Sequence, residues 1–255
     1  MKQIHSSVVV DKDAVIEDGV EIGPYTIIGP KTTIQSGTKI HGQAVIEYAN
    51  IGKNCEIFNF SSIGKRPQDL KYQQEETFVS VGDGTTVREA VTINRGTAAL
   101  GKTVVGKNCL LMSCAHVAHD CVLGDGVIVG YSTGLAGHVE VGDGAIFSGG
   151  CGVHQFCKIG KHAMISGGAK VVMDVIPYAT AHGDRAVLVG LNIVGMKRSK
   201  MKLSEIDQVK AAYKILFSSK LILADALKKI DEIDSPFVRE ISDFIKHSNR
   251  GVMRP

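Results

Sequence analysis

The chain has 255 residues, 44% hydrophobic and 22% charged, with a net charge of +3. That charge is too small to argue for nucleic acid, no run of about 18 apolar residues exists to span a membrane, and Met1 to Val10 lacks a signal peptide's apolar stretch. The expectation is a cytoplasmic protein.

A six-residue period begins at Ile4 and runs through Val10, Ile16, Ile22, Ile28, Ile34, Ile40 and Ile46. It slips by one residue and resumes at Ile51, Ile57 and Ile63, then returns at Val81, Val87 and Ile93. From Val105 it runs unbroken: Leu111, Val117, Leu123, Val129, Leu135, Val141, Phe147, Val153, Ile159, Ile165, Val171. Every one of these positions is large and apolar. Glycine often follows, as at Gly23, Gly52, Gly106 and Gly160. Small residues stand two places before the aliphatic, and Cys55, Cys109, Cys121, Cys151 and Cys157 share that slot. The repeat reads those thiols as small core fillers rather than disulfides or metal ligands.

This is the hexapeptide signature of a parallel β-helix. Each hexad makes a short strand and a turn, and three hexads make a triangular coil of 18 residues. Stacked coils pair their strands at about 4.8 Å. With 29 glycines, no tryptophan and 5% aromatics, the core depends on inward aliphatics, each contributing roughly 1.5–3 kcal/mol by burial.

Two insertions interrupt the prism. Residues 64–80 contain Gln68-Asp69-Leu70-Lys71-Tyr72, and residues 94–103 contain Asn94-Arg95-Gly96-Thr97. A solenoid gains nothing structurally by ejecting such loops, so both are candidates for function. The β-helix is expected over 1–190 and a helical domain over 191–255. Ser204 is the expected cap of a first helix carrying Ile206, Val209, Tyr213 and Leu216. Leu223, Leu227 and Ile230 suggest a second helix, and Ser235-Pro236 opens a third with Phe237, Ile241, Phe244 and Ile245.

Eighteen-residue winding also sorts the polar residues. It puts Gly137 over His119 and His138 over Asp120, with His154 and Gln155 one coil further. Four of the nine histidines, His116 included, thus gather at one edge within three coils. Histidine is the usual general base near neutral pH. Asp120 can fix its tautomer, and the Gly137 N–H can donate to an oxyanion.

The segments His116-Val117-Ala118-His119-Asp120-Cys121, Leu135-Ala136-Gly137-His138-Val139 and Val153-His154-Gln155-Phe156-Cys157 resemble the bacterial UDP-N-acetylglucosamine O-acyltransferase family. The resemblance extends through Gln68 to Tyr72, Val91 to Thr97 and Gly190 to Arg198. It implies a left-handed helix, and transfer of a (3R)-hydroxyacyl group from acyl carrier protein to the glucosamine 3-hydroxyl, the first step of lipid A synthesis. It implies that His119 is the base and the Gly137 amide the oxyanion donor. Gln68, Asp69 and Lys71 become sugar-nucleotide contacts, His116 and His138 groups around the sugar, and His154 and Gln155 a pair beside the substrate. Asn192 and Arg198 become contacts to the nucleotide and its phosphates. No metal or organic cofactor is implied, since phosphopantetheine arrives with the carrier. Family members form homotrimers with sites between neighbouring prisms. Gly167, one coil beyond Gly149, with Met164, matches the position that limits acyl length, and a glycine there leaves room for about fourteen carbons.

Some positions depart from the family pattern. Val194 stands where an acidic residue is common, Ser199 where a second arginine is common, and Asp184-Arg185 replaces an Asn-led pair. They leave open whether the acceptor carries a 3-hydroxyl or a 3-amino group. The basic run Lys197, Arg198, Lys200 and Lys202, with Lys210 and Lys214, suits an acidic carrier protein. Other readings are an acetyl-CoA-dependent hexapeptide transferase, a zinc lyase of the carbonic anhydrase type using His116, His119 and His138, and a non-catalytic solenoid. The paired loops and the histidine edge argue against the first and last. The spacing demanded of metal ligands argues against the zinc lyase.

Overall fold

Short parallel strands stack into three faces of 11, 9 and 8 strands in the computed structural model, which describes residues 1–255. The aliphatic of each hexad pairs with the aliphatic of the next coil, as Leu111 with Val129 and Val129 with Phe147. The one-residue slip appears as the pairing of Ile34 with Ile51. Inward side chains form one cluster of 58 buried residues. Phe147 and Tyr178 are its only aromatics.

The first coil departs from the periodic expectation. Ile4 and Val10 are 40% and 41% exposed, and burial begins at Ile16. In the described residues each pairs with a coil on one side, Ile4 with Ile22 and Val10 with Ile28, so less of the aliphatic is covered than in the later coils. The five repeat cysteines are buried and free. Burial pushes the Cys121 thiol up to about 12 and the Cys157 thiol to about 11, so both stay protonated and inert.

Most corners place the residue three after the aliphatic in the left-handed region. Asp120, His138 and Phe156 occupy that position on successive coils, with φ of 57°, 62° and 67°. Such a conformation costs roughly 1–2 kcal/mol for an L-residue. The winding imposes it, and the result is a column of three functional-type side chains at one corner.

The loops leave the prism between the strands Ser62–Lys65 and Phe78–Val81, and between Thr92–Asn94 and Lys102–Val105. They are held to each other and to the prism. Arg95 Nε donates to the Tyr72 hydroxyl at 3.0 Å, and its Nη1 donates to the Gly64 carbonyl at 3.1 Å. The same guanidinium lies 4.2 Å from the Tyr48 ring centroid. The Ala98 N–H donates to the Glu75 carboxylate at 3.3 Å.

The regular hexads end at the strand Lys170–Val171, short of residue 190. A hairpin follows, in which Val187–Leu191 runs antiparallel to Ala179–His182. Alternating exposure along Val187, Leu188 and Val189 (exposed, buried, exposed) marks it as a two-sided edge pair. Helix α1, Ile193–Arg198, was not expected. Helix α2, Leu203–Ser218, starts before Ser204, so Ser204 is not its cap. The Lys202 N–H donates instead to the Glu205 carboxylate at 2.7 Å. Helix α3, Leu223–Asp231, and helix α4, Pro236–Lys246, fall where expected, with Pro236 in the first turn of α4. The buried Tyr178 hydroxyl donates to Glu240 of α4 and fastens the helices to the prism. No helix is long and apolar enough to cross a membrane.

Candidate active site

The corner between the nine-strand and eight-strand faces carries the candidate chemistry. The His138 N–H donates to the His119 carbonyl at 3.0 Å, and the Phe156 N–H to the Gly137 carbonyl at 3.1 Å. These bonds fix the stack of His119, Gly137 and their neighbours coil on coil. The His119 and His138 rings meet edge to face, 5.1 Å between centroids at 89°. His138 in turn stacks flat on Phe156, at 4.5 Å and 9°.

His119 Nδ1 lies 2.8 Å from Asp120 Oδ2. An ionised carboxylate only accepts, so this bond puts the neutral imidazole's proton on Nδ1 and leaves Nε2 as the basic nitrogen. Asp120 is buried and accepts three further bonds. Thr97 Oγ1 donates at 2.6 Å, the Thr97 N–H at 2.9 Å and the Leu100 N–H at 3.3 Å. Burial pushes the Asp120 carboxyl up, but the bonds from Thr97 and His119 outweigh it, and the group titrates below its ordinary value. Asp120 is therefore an anion at neutral pH. Burial, offset in part by Asp120, holds His138 below the ordinary imidazole value. Burial, then neighbouring His119, does the same for His116. Both are uncharged at pH 7. His116 Nδ1 lies 2.7 Å from Thr92 Oγ1 on the preceding coil.

Gly137 meets the His119 ring face to backbone. A Cβ at this position would stand 2.6 Å from His119 Cε1 and 2.7 Å from Nε2. Only glycine lets the imidazole lie there. The Gly137 N–H donates to no group of the chain. At comparable corner positions the next coil supplies an aspartate, as Asp125 does for the Lys107 N–H at 2.7 Å and Asp143 for the Asp125 N–H at 2.9 Å. Here the next coil supplies Gln155 without such a bond, and the donor beside His119 is free for an incoming oxygen.

Two cavities meet at His119. One, of about 710 Å³, is lined by Asp69, Lys71, Thr97, His119, His138 and Gln155. The other, of about 600 Å³, is lined by Asn94, His116, His119, Gly137, Gly152 and His154. Gln68 lines both. The structure thus brings together the loop residues Gln68, Asp69 and Lys71 and the corner residues His116, His119, Asp120, Gly137, His138, His154 and Gln155. Four expected residues lie apart from them in this chain. Asn192 caps α1, its Oδ1 accepting from the Gly195 N–H and its Nδ2 donating to the His162 carbonyl, both at 2.9 Å. Arg198 is exposed at the end of α1. Met164 lies on the eleven-strand face, and Gly167 at the corner that follows it. The sequence reading missed the roles of Thr97, which clamps Asp120, and of Phe156, which supports the His138 ring.

The zinc-lyase alternative proposed His116, His119 and His138. The side chains that approach within 4.8 Å of one another are instead His119, Asp120 and His138. Four hydrogen bonds already occupy the acceptor sites of Asp120, so its carboxylate is committed to holding His119.

Six-residue repeats with this corner define a transferase of the hexapeptide class. Residues 102–137 match the bacterial transferase hexapeptide model, and residues 4–105 a GMPPB C-terminal domain model. Residues 174–253 match domain 2 of Udp N-acetylglucosamine O-acyltransferase. The acyl-(acyl-carrier-protein) UDP-N-acetylglucosamine O-acyltransferase of Thermodesulfovibrio yellowstonii is 47% identical, with 100% of each chain covered. Its counterpart in Herminiimonas arsenicoxydans is 42% identical, again over 100% of each. The crystal structure of the UDP-N-acetylglucosamine acyltransferase of Bacteroides fragilis superposes with a TM-score of 0.97 at 40% identity, covering 99% of this chain and 100% of that one. The chain belongs to the UDP-N-acetylglucosamine O-acyltransferase family, and its fold is the left-handed parallel β-helix with a C-terminal helical segment.

Proposed function

We propose that this chain transfers a (3R)-hydroxyacyl group from acyl carrier protein to the 3-hydroxyl of UDP-N-acetylglucosamine, the first step of lipid A biosynthesis. The observation that carries the mechanism is the His119 imidazole, oriented through Nδ1 by a buried carboxylate and backed by an unbonded Gly137 amide. Nε2 of His119 takes the proton of the acceptor hydroxyl as its oxygen attacks the thioester carbonyl. The Gly137 N–H donates to the oxyanion that forms. The C–S bond then breaks, the ester remains on the sugar, and the imidazolium returns its proton to the phosphopantetheine sulfur. General base catalysis of this kind contributes about 10²–10⁴-fold.

Asp69 and Lys71 line the cavity that holds His119 and His138, which supports their role in binding the nucleotide sugar. His116, His154 and Gln155 flank the same imidazole. Asn192 and Arg198 are proposed to serve the site of a neighbouring chain in a homotrimer, as are Met164 and Gly167. This reading is supported by their position away from His119 within one chain. The Asn192 carboxamide has two internal partners, so its part is to set α1 and with it Arg198. The proposal includes no metal and no organic cofactor, and places the reaction in the cytoplasm, where the carrier delivers the acyl thioester.

The test offers hydroxyacyl carrier proteins of several lengths with UDP-N-acetylglucosamine or its 3-amino counterpart. Mass spectrometry of the product identifies an ester or an amide. The proposal expects the ester of the longer hydroxyacyl chain, and no transfer to UDP-N-acetylglucosamine contradicts it. The Gly167 role has its own check. A Cβ there meets only ordinary contacts, the Gly149 carbonyl at 3.6 Å and Ser148 Cβ at 3.8 Å, so a side chain is tolerated by the fold. Gly167→Met is expected to keep its thermal midpoint and to move donor preference from fourteen-carbon toward ten-carbon chains by about 10-fold or more in kcat/KM. Competition between the two donors measures it.

A further inference from the structure

Asn94 closes the strand Thr92–Asn94 where the second loop begins. It is only 5% exposed, yet its carboxamide oxygen has no hydrogen-bond partner. The one other such atom, Ser235 Oγ, lies at the start of α4. A buried acceptor left unpaired costs about 1–3 kcal/mol, and folded proteins keep few of them. The neighbours of Asn94 are committed. Thr92 Oγ1 is bonded to His116, and Arg95 to Tyr72 and Gly64. Asn94 lines the 600 Å³ cavity with Gln68, His116 and His119.

Its position in the stack shows what it can meet. Thr92–Asn94 lies one coil before His116–Val117, on the side of His119 opposite to Gly137. A thioester carbonyl held by the Gly137 amide lies on the far side of His119 from Asn94. Asn94 and Gln68 line one cavity with His119, so an acceptor whose hydroxyl meets Nε2 from this cavity has the Asn94 oxygen in the same space.

We propose that Asn94 is a recognition residue for the acceptor sugar, its carboxamide oxygen accepting a hydrogen bond from a ring hydroxyl or amide N–H. This inference rests on the transfer reaction proposed above. Two variants test it. Asn94→Leu keeps the shape and removes the orphan acceptor, and Asn94→Ala removes the side chain without overpacking. Calorimetric titration with UDP-N-acetylglucosamine is paired with steady-state kinetics in both substrates. Both variants are expected to weaken acceptor affinity and raise its KM by about 10–100-fold, with KM for the carrier donor within twofold. The thermal midpoint of Asn94→Leu is expected to equal or exceed that of the wild type, because the unpaired group is gone. Acceptor affinity within twofold of wild type in both variants overturns the inference and leaves the transfer reaction standing. Affinity and thermal midpoint falling together in both variants overturns it in favour of a structural role. A wild-type chain that neither binds the sugar nucleotide nor transfers to it overturns both.

Discussion

His119→Ala is expected to lower kcat by about 10²–10⁴-fold, the contribution of a positioned general base. The substitution removes the nitrogen proposed to take the acceptor proton and leaves the prism intact, because the side chain lies outside the aliphatic core. KM for the sugar nucleotide should change little, since Asp69, Lys71 and Gln155 remain in the cleft. The wild-type rate should also fall in acid. A general base acts in its neutral form, so kcat/KM is expected to be lower in acid than at neutral pH. Burial holds His116 and His138 below the ordinary imidazole value, so at neutral pH they add no cation to the site. Steady-state rates of both proteins across acid and neutral pH check this. A flat profile, or a variant within a few fold of wild type, removes His119 from the mechanism.

Gly137→Ala is expected to lower kcat by about 10²-fold or more, the scale of loss when a reacting group is displaced by about 1 Å. The added methyl would sit 2.6 Å from His119 Cε1, closer than any stable contact. The ring must swing away, yet Asp120 grips its Nδ1 and is itself held by Thr97 and Leu100. The amide proposed to meet the oxyanion survives the substitution, so the loss measures the placing of His119. Wild-type kcat in Gly137→Ala would show that His119 is free to move without consequence. The thermal midpoint is expected to shift by a few degrees at most, because the corner lies outside the core.

The winding could be read from the residues because it is local arithmetic. Aliphatics six apart and coils of eighteen place Gly137 over His119 without any knowledge of tertiary contacts, and the pairing of strands bears this out. The same arithmetic fails where the chain leaves the repeat. Thr97 reaches Asp120 across 23 residues, a separation set by the irregular loop rather than by the coil. Asn94 is equally hidden, since an unpaired buried oxygen is a property of packing. Ser204 looked like a helix cap because serine often is, but Glu205 reaches back to the Lys202 N–H and starts the helix earlier. The hairpin Ala179–Leu191 follows the last regular hexad and trades the six-residue period for two-residue alternation over a span too short to stand out. Arg198, Met164 and Gly167 resemble site residues in the family pattern. They lie apart from His119 in a single chain, and the homotrimer proposed above is the reading that would bring such residues to a neighbouring chain's site.

The geometry at Nε2 of His119 carries the whole account, and a crystal structure with UDP-N-acetylglucosamine bound measures it. The glucosamine 3-hydroxyl is predicted to lie about 2.6–3.2 Å from that nitrogen, between the first loop and the Gly137 corner. A sugar bound with its 3-hydroxyl out of reach of His119, and no bridging water, would contradict it.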